Sequence, residues 1–434
     1  MLNTTPNILE KKAQILREED VFLKRIPEDV YQQMVNMFAS QYHFKNGERM
    51  RIANYFVGIS SDLSADFVQF IKKMTNGLTN NQFPVLPTPN GFKPQRENLL
   101  PTEQKDGFSF GSFDMAVTEN GLRNIEFQSV ATYPISAAKL NKCLLDNMAF
   151  KHATIFADNA KTSWSDFINF YERIIAGNET TGIVLTDRKI AQQKTNFEFY
   201  ATQKELNISV EIVDMEQLFE KDGALFYLNP SDKTPIKVTR LYNRILLAEA
   251  LFEDNYPEDA EMWKFRFDKT YDSLKFINHP IKQYEVSKRL SPYINHPFNP
   301  ECFELSTAAP LFRAGTLKYE DYVWKHKWGA AGHRLILAPN STILDSLAGE
   351  LEDYIAQKKV NFKIFKTDDG QEKIVELRFM TAIQNQKMII VPMARIGHIT
   401  EILNGEQHFK IHFGDNNKEG YGFSPVVIFD KIPM

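Results

Sequence analysis

The stretch Tyr322-Val323-Trp324-Lys325-His326-Lys327-Trp328-Gly329-Ala330-Ala331-Gly332-His333-Arg334-Leu335-Ile336-Leu337 decides how the chain is read. Tyr322, Val323 and Trp324 favour a strand, and Arg334 to Leu337 resume an extended pattern. The small residues Gly329 to Gly332 make the loop between them. Alternation along the first strand puts Lys325 and Lys327 on one face and Trp324 and His326 on the other. A lysine on a strand beneath a small-residue loop is one way to hold a nucleotide triphosphate: loop N–H groups point at phosphate, and the ammonium supplies charge. The same letters also fit a tight β-hairpin with a solvated basic edge, so the rest of the chain has to decide.

The chain has 434 residues, enough for about three domains. Its 43% hydrophobic and 24% charged residues are those of a globular protein. A net charge of -4 argues against a chain built mainly to coat nucleic acid. Cys143 and Cys302 are too few for a disulfide framework or a cysteine-held zinc. No apolar run is long enough to span a membrane, and the first residues lack the apolar core of a secretory signal. The expectation is a soluble cytoplasmic protein.

Outward from the opening stretch, residues 8 to about 76 read as helical. Ile8, Leu9, Ala13, Ile15 and Leu16, then Val30, Met34, Met37 and Phe38, recur at helical spacing. Ser61-Asp62 or Ser64 would cap the helix that carries Phe67, Phe70 and Ile71. Residues 80 to 107 turn irregular, with Pro84, Pro87, Pro89, Pro94 and Pro101. From Phe108 to Pro134, Glu119-Asn120-Gly121 is a hairpin turn between two strands. In the second strand Ile125 and Phe127 face one side, Glu126 and Gln128 the other. A carboxylate and a carboxamide so placed offer oxygen ligands for Mg²⁺; a solvent-facing polar edge is the plain alternative. The loop Ser129 to Pro134 leads into a helix starting near Ile135, a common place for anionic ligands.

Residues 161 to 214 read as a βαβ unit: a strand at Gly182 to Thr186, a helix at Ile190 to Leu206 and a strand at Val210 to Val213. The loop Thr186 to Lys189 lies at the carboxyl end of a parallel strand, where open α/β sheets bind ligands; it fits a charged cap equally well. A strand from Ile236 to Tyr242 ends in Asn243-Arg244, and a helical stretch runs from Asp259 to the turn at Asn278-His279-Pro280. Further on, a helix at Tyr284 to Tyr293 carries Lys288 and Arg289. An amphipathic helix is expected at Asp345 to Gln357. Strands follow at Asn361 to Lys366, Lys373 to Ala382, Met388 to Arg395 and Val426 to Phe429, with Asp368-Asp369-Gly370 as a turn. On the Lys373 to Ala382 strand, Glu376 and Arg378 share the face opposite Val375 and Leu377. The scattered histidines form no metal motif, and neither a GxSxG elbow nor a GxxxxGK[ST] loop occurs.

In this order the segments resemble the eukaryotic-type glutathione synthetase and glutathionylspermidine synthetase group, which carries a circularly permuted ATP-grasp domain. The resemblance runs piecewise from about Phe108 to the C-terminus. It implies an α+β fold: an ATP-grasp-like core with an inserted α/β domain and an N-terminal helical region. The divisions would be 1–107, 108–160, 161–280 and 281–434. Ile125-Glu126-Phe127-Gln128-Ser129 stands where the group reads roughly IEINT, which makes Glu126 and Gln128 the Mg²⁺ ligands and Ser129 a substrate contact. Arg188 and Gln193 match substrate-facing positions. Arg244 closes a strand whose last arginine approaches the reacting groups, and Trp263 and Arg266 match the helix after it. Lys288 and Lys325 match the lysines on the ATP phosphates, with Gly329, Ala330, Ala331 and Gly332 as the loop over them. Phe365 and Lys366 lie at the hinge beside adenine. Met393-Ala394-Arg395-Ile396 resembles the LLRT segment and puts Arg395 with Arg244 at the reaction. Tyr421 and Gly422 belong to the terminal glycine-rich loop at the substrate.

Three departures bear on chemistry. Gly329 stands where the group has a loop glutamate for Mg²⁺, Lys366 replaces the hinge glutamate, and Gly111-Ser112-Phe113-Asp114 lacks the arginine that reads a γ-glutamyl substrate. The resemblance therefore implies an ATP- and Mg²⁺-dependent carboxylate–amine ligase working through an acylphosphate. Its substrates would be a small amino-acid or peptide-like carboxylate and an amine, with glutathione itself not the product. The alternative is a non-catalytic relative that binds a nucleotide or a partner. The group's habit also implies a homodimer; neither nucleic acid nor membrane is expected as a partner.

Overall fold

The computed structural model describes residues 20–42, 51–79, 82–84, 108–130, 132–159, 161–193, 195–246, 271–329, 334–403, 406–411 and 421–430. The expected segments at 8 to 16, at 85 to 107 and from 259 to 270 lie outside them, as do Ala330, Ala331, Gly332, Trp263 and Arg266. Helices alternate with several sheets, mostly antiparallel, in an α+β arrangement. No helix among the described residues is long and apolar enough to cross a membrane.

The largest sheet has seven strands and is built on the hairpin that Asn120-Gly121 turns. Phe110–Thr118 pairs with Gly121–Gln128 on one side and with Glu372–Gln384 on the other; Lys387–Leu403 extends the sheet further. Gly121 has φ 92°, the conformation this turn demands of glycine. Apolar residues of alternate parity leave the two faces. Met380, Ala382 and Met393 enter a core with the helix Pro134–Asn147. Phe113, Met115, Leu377 and Phe379 enter a second core with Phe67, Phe70 and Ile71 of the helix Ser61–Thr79.

The strand Gly121–Gln128 does not alternate as simply as its sequence implies. Asp114 stands opposite Glu126 and Met115 opposite Asn124, so Ile125 is an extra, bulged residue. Phe127 stacks on Phe113 with ring centroids 4.4 Å apart. Ile125 packs instead against the small cluster of Ala116, Phe362, Ile374 and Ile411. The expectation that Ile125 and Phe127 share a side is thus overturned by the bulge.

A second sheet is wholly parallel, in the order Lys275–Ile277, Arg240–Asn243, Ile183–Asp187, Glu211–Asp214. This is the expected βαβ unit, extended by two strands. Its central strand is covered on both sides: Ile183 and Leu185 pack with Phe167, Tyr171 and Ile174, while Val184 packs with Leu225, Tyr227 and Phe276. The helix Trp164–Ala176 on the first side opens with a capping box from Ser163 and Asp166. Two expected elements break. The helix at Ile190 to Leu206 divides into a single turn Ile190–Gln192, after Lys189 in left-handed conformation, and a helix Phe197–Glu205. The strand at Ile236 to Tyr242 divides into Pro235–Lys237 and Arg240–Asn243, which join different sheets.

The opening stretch is a hairpin in a third, antiparallel sheet. Tyr322–His326 pairs with Leu335–Ile336 and with Tyr354–Lys358, which in turn pairs with Cys302–Glu304. Tyr322, Trp324 and His326 are buried in alternation, as read. The helix expected at Asp345 to Gln357 is corrected: Ser341–Ser346 is helical, Leu351–Asp353 is one tight turn, and Tyr354–Lys358 is a strand. The need for a partner on the open edges of its two neighbours outweighs helical periodicity here. The helix at Tyr284 to Tyr293 also divides, into Lys282–Glu285 and a 3-10 segment Lys288–Tyr293.

The N-terminal region is not helical throughout. Val21–Arg25 and Tyr55–Ser60 are strands, in one sheet with Val426–Phe429 and Ala153–Thr154. Between them Glu28–Gln41 buries Val30, Met34 and Phe38 as their spacing predicts. The following helix is capped by Ser60, whose Oγ accepts from Leu63 N at 3.2 Å, one residue ahead of the candidates read from sequence.

Candidate functional site

The large sheet and the hairpin sheet meet at the bulge. Lys325 Nζ donates to the carbonyl of Ile125 at 2.8 Å. The next residue, Glu126, accepts from Lys288 Nζ at 2.5 Å, and the same ammonium donates to the Gly329 carbonyl. Lys288 opens its 3-10 segment, where Ser287 Oγ accepts from Arg289 N. Three segments distant in sequence therefore place two lysines and one carboxylate together. Glu126, Gln128, Lys288, Lys327 and Gly329 line a small cleft that opens to solvent. Burial drives the Lys325 ammonium down to about 8, and the charge of Lys288 works in the same direction while Glu126 opposes it. Lys327 is neutralised by Glu304 at 2.6 Å.

Behind Glu126, on the same sheet face, lies a buried ion cluster. Arg378 donates from Nε to Asp114 Oδ1 at 2.7 Å and from Nη2 to Oδ2 at 2.6 Å. Its Nη1 donates to the Tyr133 hydroxyl. Arg395 Nε donates to Glu376 Oε1 at 2.8 Å, and its Nη2 lies 3.4 Å from Asp114 Oδ2. Burial works to raise the Asp114 carboxyl, yet Arg378 and Arg395 hold it below its ordinary value. Glu376 is raised by burial despite Arg395, with the Asp114 charge adding to the rise. The face shared by Glu376 and Arg378 is the one the sequence indicated. Arg395, expected at the reaction, is engaged here with two carboxylates.

A third polar feature lies at the carboxyl ends of the parallel strands. Arg244 is 1% exposed, and its Nε, Nη1 and Nη2 find no hydrogen-bond acceptor of good geometry among the described residues, although its charge acts on Glu198 and on the Tyr242 hydroxyl. Its guanidinium lies over the Phe199 ring at 5.0 Å. Nearby, the buried Glu198 accepts from Ile135 N at 3.1 Å and Ser136 N at 2.9 Å, so it caps the helix Pro134–Asn147. Burial pushes the Glu198 carboxyl up to about 6, against the pull of Arg244. The hydroxyls of Ser129 and Thr186 are likewise buried without a partner. A buried guanidinium without acceptors is unfavourable unless an anionic ligand meets it.

The remaining sequence candidates are spread out. Arg188 and Gln193 tie their own loop: Gln193 Nε2 donates to the Arg188 carbonyl at 2.8 Å. Phe365 is buried in the second core, and Lys366 is exposed; both pair with the start of the long strand at Lys373 and Glu372. Lys373 Nζ lies over the Tyr421 ring at 3.9 Å. Gly422 has φ 144°, and a Cβ there would lie 2.4 Å from the Arg51 carbonyl. Neither pair lines the cleft. Sequence reading missed Asp114 and Glu198. An aspartate inside the apolar run Phe110 to Val117 was a usable signal for the first; nothing in the local pattern marks the second.

For Mg²⁺, Glu126 and Gln128 offer a carboxylate and an amide oxygen on one face. No group of three His, Cys, Asp or Glu among the described residues could hold a metal ion. The donor set thus fits a cation that brings phosphate oxygens as its other ligands, the usual habit of Mg²⁺.

No family model matches the chain, and no curated protein matches it. Among solved structures it is similar to a "Putative gamma-glutamylcysteine synthetase" from Methylobacillus flagellatus KT, at 11% identity and a TM-score of 0.34, over 80% of this chain and 85% of that one. At that TM-score the likeness carries no argument about fold or chemistry.

Proposed function

We propose that the chain is an ATP-dependent carboxylate–amine ligase with an ATP-grasp-like cleft, acting on an amino-acid or peptide-like carboxylate. The observation that carries this reading is the Lys288–Glu126 pair lining the cleft, with Lys325 buried directly behind it on the Ile125 carbonyl. Phosphoryl transfer rests mainly on positioning and charge, so cations at the phosphates are what it needs. Lys288 and Lys325 hold the phosphates. Glu126 and Gln128 would hold Mg²⁺, which supplies neutralising charge there. Arg244, whose guanidinium finds no well-aligned acceptor among the described residues, holds a substrate carboxylate or the oxyanion made from it. The carboxylate takes the γ-phosphoryl group with release of ADP; the amine then displaces phosphate and an amide forms. The buried cluster around Asp114 keeps the sheet face behind Glu126 rigid.

A second reading, a nucleotide-binding protein without turnover, is favoured by one observation: Arg395 is engaged by Glu376 and Asp114 rather than open to a substrate. The two readings separate in one experiment. Mg-ATP is expected to raise the melting temperature, and ADP release is then followed against a panel of amino acids and amines. Stabilisation without turnover selects the second reading, and the absence of any nucleotide effect overturns both.

A further inference from the structure

We propose that the Glu126 carboxylate and the Gly329 carbonyl form a cation seat, filled by the Lys288 ammonium in the free protein, at which Lys288 and a divalent cation exclude one another. Lys288 Nζ donates to both oxygens, one from the large sheet and one from the loop that follows the hairpin strand Tyr322–His326. Gln128 adds a carboxamide on the same strand face as Glu126 and lines the same cleft. Carboxylate, carbonyl and carboxamide oxygens are the ligands that hard divalent cations take. An ammonium is a poor permanent tenant, because it satisfies the seat with point charge and no coordination geometry.

The charge count explains the exclusion. Lys325 is fixed on the Ile125 carbonyl, one residue from Glu126, so two ammonium groups already face one carboxylate. A divalent ion added alone meets net positive charge and an occupied oxygen. A polyphosphate would reverse the balance by drawing Lys288 off Glu126, so that metal and phosphates enter together. That last step rests on the nucleotide reading; the exclusion itself does not.

The test uses Mn²⁺ alone, without nucleotide, on the full chain. Melting temperature and the electron paramagnetic resonance signal of free Mn²⁺ are followed for wild type, Lys288→Met and Lys288→Met/Glu126→Gln. Wild type is expected to show no shift and no bound Mn²⁺ at millimolar concentration. Lys288→Met strands a half-buried carboxylate and is expected to melt lower by roughly 3 °C or more. Mn²⁺ restores it, and the double variant does not respond. If Lys288→Met does not fold, Lys288→Gln, which keeps a donor for the Gly329 carbonyl, carries the same readouts. Equal Mn²⁺ binding by wild type, or no response in the single variant, overturns the proposal. Failure of the nucleotide reading shows separately, as an unmoved wild-type melting temperature with Mg-ATP.

Discussion

Asp114 and Arg378 stand directly opposite each other on neighbouring strands and close a two-bond fork, with Nε and Nη2 at 2.7 and 2.6 Å from the two carboxylate oxygens. Fork geometry of this kind is available to arginine and not to lysine. Arg395 touches the same carboxylate and is itself held by Glu376, so two arginines and two acids neutralise one another inside the molecule.

Removing one member of this cluster leaves a buried charge without its counterpart. Asp114→Asn is expected to destabilise the protein by about 3–5 kcal/mol. Urea unfolding measures it, with Asp114→Leu/Arg378→Met as the comparison. The apolar double variant should recover a large part of the loss. A double variant no better than the single one would show that the charges are not what the site depends on.

Arg244 presents a different case, a buried guanidinium with no well-aligned hydrogen-bond acceptor among the described residues and with Glu198 as its nearby countercharge. Arg244→Met removes a desolvation penalty and with it the pull on Glu198, so below pH 6, where Glu198 is protonated, the ligand-free protein is expected to melt no lower than wild type. On the ligase reading its turnover is expected to fall by about 100-fold or more, since a charge-assisted contact to the reacting carboxylate would be gone. Steady-state kinetics and calorimetry check the two halves independently.

Lys325 gives the cleft a pH dependence. Its pKa of about 8 lies below the ordinary 10.5. Between those values the unfolded chain binds more protons than the folded one, so this residue makes stability rise with pH there. Below pH 8 the penalty of the buried charge is fully present. Anion binding runs the other way, because it uses the protonated form. On the nucleotide reading, affinity for ATP is expected to weaken as pH rises above 8, approaching about tenfold per pH unit. Isothermal titration across pH 7 to 9.5 measures the slope, and Lys325→Met should flatten it.

Gly422 and Gly182 are sites where any side chain is excluded. A Cβ would meet the Arg51 carbonyl at 2.4 Å in the first case and the Lys237 carbonyl at 2.2 Å in the second, and both residues have positive φ. Alanine at either position is expected to cost more than about 1 kcal/mol, the sum of backbone strain and overlap. Thermal melting of Gly422→Ala, with nucleotide affinity measured alongside, separates packing from binding. Unchanged stability with lost affinity would return Gly422 to the substrate-contact role expected from sequence.

The hairpin at Asn120-Gly121, the parallel βαβ pattern and the alternation of Tyr322, Trp324 and His326 were all legible because each depends on local period and turn chemistry. Tyr354 to Lys358 was not, since its strand pairing is decided by two distant neighbours. The bulge at Ile125 was equally invisible: one unpaired residue shifts the alternation without altering composition. At the candidate site, Glu126 and Lys325 could be named by residue type and pattern and Lys288 only by the resemblance, and the structure brings the three together. Their connection through the Gly329 carbonyl could not be read, nor could the partners of Arg395 on the neighbouring strands, because contacts between segments distant in the chain leave no trace in local sequence.

Ser424 Oγ donates to the Tyr55 carbonyl at 2.8 Å across 369 positions, and the strand after it lies parallel to Tyr55–Ser60. During synthesis the early strand therefore waits for its neighbour for roughly 20 to 70 s at ordinary elongation rates. Over that interval Val57 and Ile59, later fully enclosed, have no sheet to enter on that side. The early strand is thus open to misassociation over that interval, and a ribosome-bound holding factor should improve the yield of folded protein.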